Sequence, residues 1–388
     1  AARQLDRCMR LIIDTDTAGD DCFSILLAAA RPDVTLEALT ICNGNIDFDQ
    51  QVENALVTLE VAGLAGRVPV HPGCPRPLLR EPVDAAYVFG QDGMSDAGFP
   101  RTVQRPEASH AVDAIIDLVM SNPGEITLLA QAPLTNIALA VSKEPRIAKA
   151  LKHLWIMGGC DNGIGNVTPA AEFNFYVDPE AAAIVLKAGF SISLVTWTLS
   201  LTDSLLTEAE LSDIAAIGSE RAAFFTTVNA ASVAFSQARY GHGGTLHPDA
   251  LACACAVVDG VVTRTEACLV QVETAPGLTR GYCSVSSSML PDQEEADPAL
   301  GKAPPPNVRI VKAVDREARA RAGLRRPGRH GGLDAARGQR LRARTPPASP
   351  SCARRQVQPG GHAGRRRCDA KPHRRRGDRG PPGGAAPR

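Results

Sequence analysis

Short apolar runs and helical stretches take turns along the chain from about residue 9 to 315, and this alternation restricts the fold more than any other feature. Arg10–Asp14 (RLIID) is an apolar run ending in a carboxylate. Asp20–Ala30 then places acids in the first turn of an expected helix, where the helix dipole favours them. Val34–Cys42 predicts a second strand, Asp49–Ala62 a second helix and Val68–His71 a short third strand. Further helices are expected over Ala108–Ser121, Leu134–Val141, Pro179–Ala188, Leu205–Ile217, Glu220–Tyr240 and Asp249–Val258. The runs Glu125–Ala130, His153–Met157, Ser191–Trp197, Ala267–Glu273, Gly281–Val285 and Val308–Val314 read as strands. Repeated strand–helix units predict an α/β fold, a single large domain with a mostly parallel sheet flanked by helices. In such sheets ligands bind beyond the carboxyl ends of the strands, so the residues just after each strand deserve the closest reading.

Composition divides the chain. Residues 318–388 carry 19 Arg and one Lys against three Asp, so 42 basic and 42 acidic residues overall conceal an acidic body joined to a basic tail. The tail is Arg, Gly, Pro and Ala with little to bury, and is expected to be disordered. One reading makes it a non-specific nucleic-acid arm, through counterion release. The other makes it an out-of-frame extension; no aromatic residue follows position 317 to stack on bases, and this second reading is preferred. Residues 1–8, before Met9, are taken as an N-terminal extension. No apolar stretch is long enough to span a membrane, and the amino terminus lacks a signal-like region. The 11 Cys lack CxxC spacing and mostly sit in apolar runs. Reduced thiols in a cytoplasm are therefore expected, with neither a disulfide scaffold nor a zinc site.

The chemistry concentrates after the first strand. Asp14-Thr15-Asp16-Thr17-Ala18-Gly19-Asp20-Asp21 places four carboxylates within eight residues at a strand-to-helix turn. Like charges so close raise one another's pKa unless a cation intervenes, and a hard divalent cation with oxygen ligands satisfies the need economically. Helix capping by Asp20 or Asp21 is the plainer alternative, although it employs only one or two of the acids. Asp249, at the start of an apolar helix, has the same two readings. DxDxT after an apolar run also opens Mg²⁺-dependent phosphatases, but the Lys and later acidic pair of that chemistry are missing. Other strand ends supply amides: Asn43-Gly44-Asn45, and the loop from Gly158-Gly159-Cys160 through Asn166 to Glu172-Phe173-Asn174. No GxxxxGK[ST] or GxGxxG is present in that loop, which argues against a phosphate cradle.

Taken together, IDTDTAGDD (13–21), NGN (43–45), FGQDGM (89–94), TLLAQAPLTNIA (127–138), WIMGG (155–159), AEFN (171–174), DPEAA (178–182) and HPDALA (247–252) resemble the inosine–uridine preferring nucleoside hydrolases, in order and over about residues 9–315. The resemblance makes 9–317 a catalytic domain of that fold. It implies hydrolysis of the N-glycosidic bond of ribonucleosides, a bound Ca²⁺, and a homodimer or homotetramer. It further implies Asp16, Asp21, Asp249 and the backbone carbonyl of Gln131 as metal ligands, the Gln side chain mattering little. Asp16 is implied as general base, Asp20 and Asn45 at the ribose 2′-hydroxyl, Asn174 at the 3′-hydroxyl, and Asn166 and Glu172 at the 5′-hydroxyl. Asp14 is implied as support for the acidic turn. A non-catalytic calcium-dependent ribosyl binder remains the alternative. Phe89 and Pro248 stand where many members carry His, so His242 or His247 is expected to serve the leaving base. Phe235, Tyr240 and Trp197 are candidates for stacking on it.

Overall fold

Leu11, Ile12 and Ile13 are wholly buried, so the strand that carries them, β1 (Met9–Thr15), is covered on both faces. That explains a continuous apolar run where a half-exposed strand would alternate. The computed structural model describes residues 8–241, 243–287 and 305–318. His242, nearly all of the expected extension and all of the Arg-rich tail but Ala318 lie outside the described residues.

From β1 the chain continues through α1 (Gly19–Ala29), β2 (Val34–Ile41), α2 (Phe48–Ala62), β3 (Val70–Pro72), the single turn α3 (Ala86–Phe89) and α4 (Ala111–Ser121). It then forms β4 (Ile126–Ala130), α5 (Thr135–Lys143), α6 (Ile147–Ala150), β5 (His153–Met157), α7 (Phe173–Val177), α8 (Pro179–Lys187) and β6 (Ile192–Val195). After these come α9 (Trp197–Asp203), β7 (Leu205–Leu206), α10 (Glu208–Ala216), α11 (Glu220–Val228), α12 (Ala230–Tyr240) and β8 (Thr245–Leu246). The last described elements are α13 (Pro248–Val257), β9 (Val262–Val272), β10 (Cys283–Ser286) and β11 (Val308–Val314).

Nine of these strands form one sheet in the order β10-β9-β11-β6-β5-β4-β1-β2-β3. From β3 to β11 each neighbouring pair is parallel; β9 runs antiparallel to β11, and β10 antiparallel to β9. The expected α/β architecture is what forms. One apolar cluster joins Ile12, Leu128 and Ile156 to α4, α5 and α8 on one face of the sheet. A second joins Leu11, Ile13 and Leu39 to α1, α2 and α13 on the other. No helix among the described residues is long and apolar enough to cross a membrane.

β1 pairs with β2 on one side and with β4 on the other. The strand order reverses there, and the connections leaving β1 and β4 part to open a crevice at their carboxyl ends.

Two expected helices differ. Leu205–Ile217 begins with β7, because Thr207 caps α10: its Oγ1 accepts the Glu210 N–H, and Glu210 reaches back to the Thr207 N–H at 2.8 Å. The expected helix Glu220–Tyr240 is two helices broken at Asn229, whose backbone and side-chain N–H groups both donate to Phe225 O. The strand expected over Ser191–Trp197 stops at Val195, since Thr196 caps α9 and Trp197 opens it.

Candidate functional site

Asp14 to Asp21 form the turn from β1 into α1, directly over the crevice. All four carboxylates are buried. Asp14 accepts from Thr40 Oγ1 at 2.6 Å and Asn136 Nδ2 at 2.8 Å, through one oxygen. Burial outweighs those bonds and pushes it up to about 7. Asp21 reaches back to the Ala18 N–H at 2.9 Å and also accepts from Thr15 Oγ1 at 2.6 Å and Asn45 Nδ2 at 3.3 Å. It too is pushed up, by burial first, to about 6. The capping role and a role in the cluster therefore coexist in Asp21.

Asp16 is held differently. Its Oδ2 accepts the Asn45 N–H at 3.0 Å, while its buried Oδ1 has no partner. Burial, then the charge of Asp21, lifts it well above the ordinary carboxylate range. Gly44 permits this approach, because a Cβ at that position would lie 1.9 Å from Asp16 Oδ2. Asp20 Oδ2 accepts the Asp249 N–H at 2.9 Å, which joins the start of α13 to the start of α1. Asp249 is buried and also lifted well above its usual value, by burial and then by Asp20, Asp21 and Asp16. The acids of the first turn and the acid of the distant helix thus share one electrostatic environment.

The loop after β5 brings the second set. Glu172 caps α7: Oε1 accepts from Asn174 N at 2.9 Å, and Oε2 from Gly159 N at 2.7 Å and Phe175 N at 3.2 Å. It is buried, and burial lifts it to about 7 despite those three donors. Asn174 is held by its side-chain N–H to Met157 O at 3.2 Å. Asn166 is exposed and reaches the same cavity.

That cavity has room of about 150 Å³. Its polar end is lined by Asp16, Asp20, Asn45, Gln131, Asn174 and Asp249, with Asn166 and Glu172 beside them. Tyr87, Phe235 and Tyr240, which meet one another edge-on, give it an aromatic side, and Phe89, Trp197 and the buried hydroxyl residues Ser232 and Ser236 also line it. Tyr87 meets Phe235 edge-on, with ring centroids 5.8 Å apart. The polar residues suit a hydroxylated, electron-poor group and the aromatic side a flat apolar one.

The family model for inosine-uridine preferring nucleoside hydrolase matches residues 11–320. The chain belongs to that family. An inosine-uridine preferring nucleoside hydrolase of Leishmania major is 37% identical over 280 residues, which is 71% of this chain and 87% of that protein. A Schizosaccharomyces pombe protein of unassigned function is 43% identical over 203 residues, 52% of this chain, and the match spans 64% of that protein's length. Among solved structures, the plant nucleoside hydrolase PpNRh1 superposes with a TM-score of 0.76 at 30% identity, covering 81% of this chain and 98% of that one.

As a nucleoside hydrolase family member, the chain brings Asp16, Asp20, Asn45, Asn166, Glu172, Asn174, Gln131 and Asp249 to one cavity. His247 is not among the residues lining it. Its ring packs against Phe23 and Phe225, each with centroids 5.4 Å away, and its Nδ1 lies 3.2 Å from Asp20 Oδ1. It stands behind Asp20. Gln131 also departs from expectation, because its side chain is fully engaged: Nε2 donates to Asp21 Oδ1 at 3.0 Å and Oε1 accepts from Ser24 at 2.6 Å. Tyr87, Ser232 and Ser236 were not legible as site residues. Ser232 and Ser236 are buried and Tyr87 is largely exposed, and the packing of α3 beside α12 brings all three to the cavity.

Among the described residues no three carboxylate, imidazole or thiolate groups stand ready-made around a metal position. Asp21 spends its oxygens on Thr15, Ala18, Asn45 and Gln131. The donor chemistry nevertheless fits a hard cation. The donors are oxygens, Asp16 Oδ1 is buried without a partner, and neighbouring carboxylates add to burial in lifting Asp16, Asp21 and Asp249 above the usual carboxylate range.

Proposed function

We propose that the chain hydrolyses the N-glycosidic bond of ribonucleosides, giving ribose and the free base, and depends on calcium to do so. The observation that carries this reading is the unpartnered, buried Asp16 Oδ1 on a cavity that α3 and α12 line with aromatic rings. Asp16, Asp21, Asp249 and the Gln131 carbonyl hold the cation. When bound, calcium offsets the crowded carboxylates and makes nearby water more acidic.

Asp16 takes the proton of the attacking water, which adds to C1′ as the bond to the base nitrogen breaks, and the departing nitrogen keeps the bonding pair and takes a proton from solvent. The transition state has oxocarbenium character, and the carboxylates stabilise its positive charge in a site largely shielded from water. Asp20 and Asn45 hold the 2′-hydroxyl and Asn174 the 3′-hydroxyl, fixing the sugar over Asp16. Asn166 and Glu172 reach the 5′-hydroxyl. Glu172 uses three acceptor positions on backbone N–H groups, and a carboxylate has about four, so one is left for a hydroxyl. Asp14 supports the turn through Thr40 and Asn136. The base lies among Tyr87, Phe235, Tyr240 and Trp197. Assembly as a homodimer or homotetramer belongs to the same reading, and sedimentation tests it directly.

Reducing-sugar release from a panel of nucleosides tests the proposal. Asp16→Ala is expected to lower kcat by about 10²–10⁴-fold while the fold is kept. Near-normal release by that variant overturns the assignment. A wild-type chain that binds nucleosides in calcium without releasing sugar is a ribosyl binder.

A further inference from the structure

We propose that Ser95 is a positioning residue that sets the base-facing wall of the cavity against the acidic turn. The inference rests on the hydrolase reading and adds to it the part of the molecule that governs affinity for the base.

Two short elements make that wall. α3 supplies Tyr87 and Phe89, and α12 supplies Ser232, Phe235, Ser236 and Tyr240. Neither is tied to the sheet by strand pairing, and α3 is only four residues long. Their placement must come from other contacts.

Ser95 joins both. Its backbone N–H donates to Phe89 O at 2.8 Å, the last residue of α3. Its hydroxyl donates to Val228 O at 2.8 Å and accepts the Ala231 N–H at 2.9 Å. Those two groups are the final carbonyl of α11 and a first-turn N–H of α12, which a helix interior leaves unpaired. One side chain therefore bridges the break at Asn229 and fixes the angle at which α12 departs.

The same loop is fastened to the acidic turn. Asn54 Nδ2 donates both to Asp92 O at 2.8 Å and to Thr17 O at 3.1 Å. Asp92 in turn organises the loop, accepting N–H groups from Met94, Asp96 and Gly98. A continuous line of hydrogen bonds runs from Thr17 through Asn54, the Asp92 loop and Ser95 to the base wall. On the opposite side Gly19 abuts the same break: a Cβ there would come within 2.8 Å of Val228 O.

The backbone of Ser95 is left-handed, with φ of 63°. Such a conformation is unfavourable for a non-glycine residue and persists where the surroundings impose it. Glycine would suit the turn better but could not make the two hydroxyl bonds.

This contrast supplies the experiment. Ser95→Ala removes the hydroxyl and keeps the strained backbone, while Ser95→Gly removes the hydroxyl and relieves it. Melting temperature, kcat and KM for inosine and uridine, and inhibition by D-ribose are measured for both. D-ribose occupies only the polar end. In both variants KM for the nucleosides is expected to rise about tenfold, kcat to change less than threefold and the ribose inhibition constant less than twofold. An unchanged nucleoside KM in either folded variant overturns the proposal, as does a parallel rise in the ribose constant, which would signal general damage. If Ser95→Ala does not fold, Ser95→Gly carries the same comparison. If the wild type turns over no nucleoside, the hydrolase reading fails, and equilibrium binding of nucleoside against ribose reads the same split for Ser95.

Discussion

Gln131 donates its side-chain amide to Asp21 at 3.0 Å, across 110 residues of sequence. The bond joins the end of β4 to the start of α1, the two strand exits that frame the crevice. Ser24 completes the clamp by donating to Gln131 Oε1 at 2.6 Å.

Replacement of Gln131 by Ala therefore strands one buried hydroxyl, Ser24, and leaves Asp21 Oδ1 with Thr15 as its remaining donor. A loss of about 1–3 kcal/mol in unfolding free energy is expected by denaturant titration. Calcium affinity, measured by calorimetry, should fall as Asp21 loses its anchor. Stability and affinity equal to wild type would show that only the backbone of residue 131 counts.

His247 contacts Asp20 and is not among the residues lining the cavity. Removing its ring in His247→Ala leaves space between Phe23 and Phe225 and should cost about 3 kcal/mol. The fall in kcat/KM should be equal for inosine and for 4-nitrophenyl β-ribofuranoside, whose leaving group departs without a proton. A selective loss on inosine would place the imidazole at the leaving base instead.

Glu172 makes stability depend on pH. Burial raises it from 4.5 to about 7, so the folded chain holds its proton more tightly than the unfolded chain does. Its contribution is full below pH 4.5 and is lost as pH rises through about 7. In Glu172→Gln the decline over that window should be shallower by up to about 1.4 kcal/mol per pH unit. Unfolding titrations across the window check this; a wild-type slope in the variant removes Glu172 as a source.

Calcium should relieve the mutual repulsion of Asp16, Asp20, Asp21 and Asp249. At 100 times its Kd the ion should add about 2.7 kcal/mol to the unfolding free energy. Thermal melts with calcium and with EDTA measure the difference. Asp249→Ala should abolish it, and a shift that survives in that variant would locate the ion elsewhere.

Much of this was legible in the sequence for physical reasons. Buried parallel strands such as RLIID announce themselves as continuous apolar runs, and a strand-to-helix turn with four acids has few explanations. His153–Met157 and Val308–Val314 coincide with the expected limits. The break at Asn229 was hidden because a helical pattern of side chains continues across it, and Ser95, which bonds both sides of it, is remote in sequence. The inward face of Ser232 and Ser236, the burial of His247 behind Asp20 and the clamp at Gln131 are tertiary facts, and local pattern carries no trace of them. Tyr87 was missed because four residues are too few to show a periodicity.

β11 carries one more implication. It lies between β6 and β9, and among the described residues it is the only strand that joins the β9–β10 pair to the other six. Ribosomes deliver it after every other described strand. Until it emerges, the hairpin cannot dock and the flank of Ile192–Val195 stays open to pairing with another nascent chain. Biogenesis, more than catalysis, is where this architecture is exposed to error.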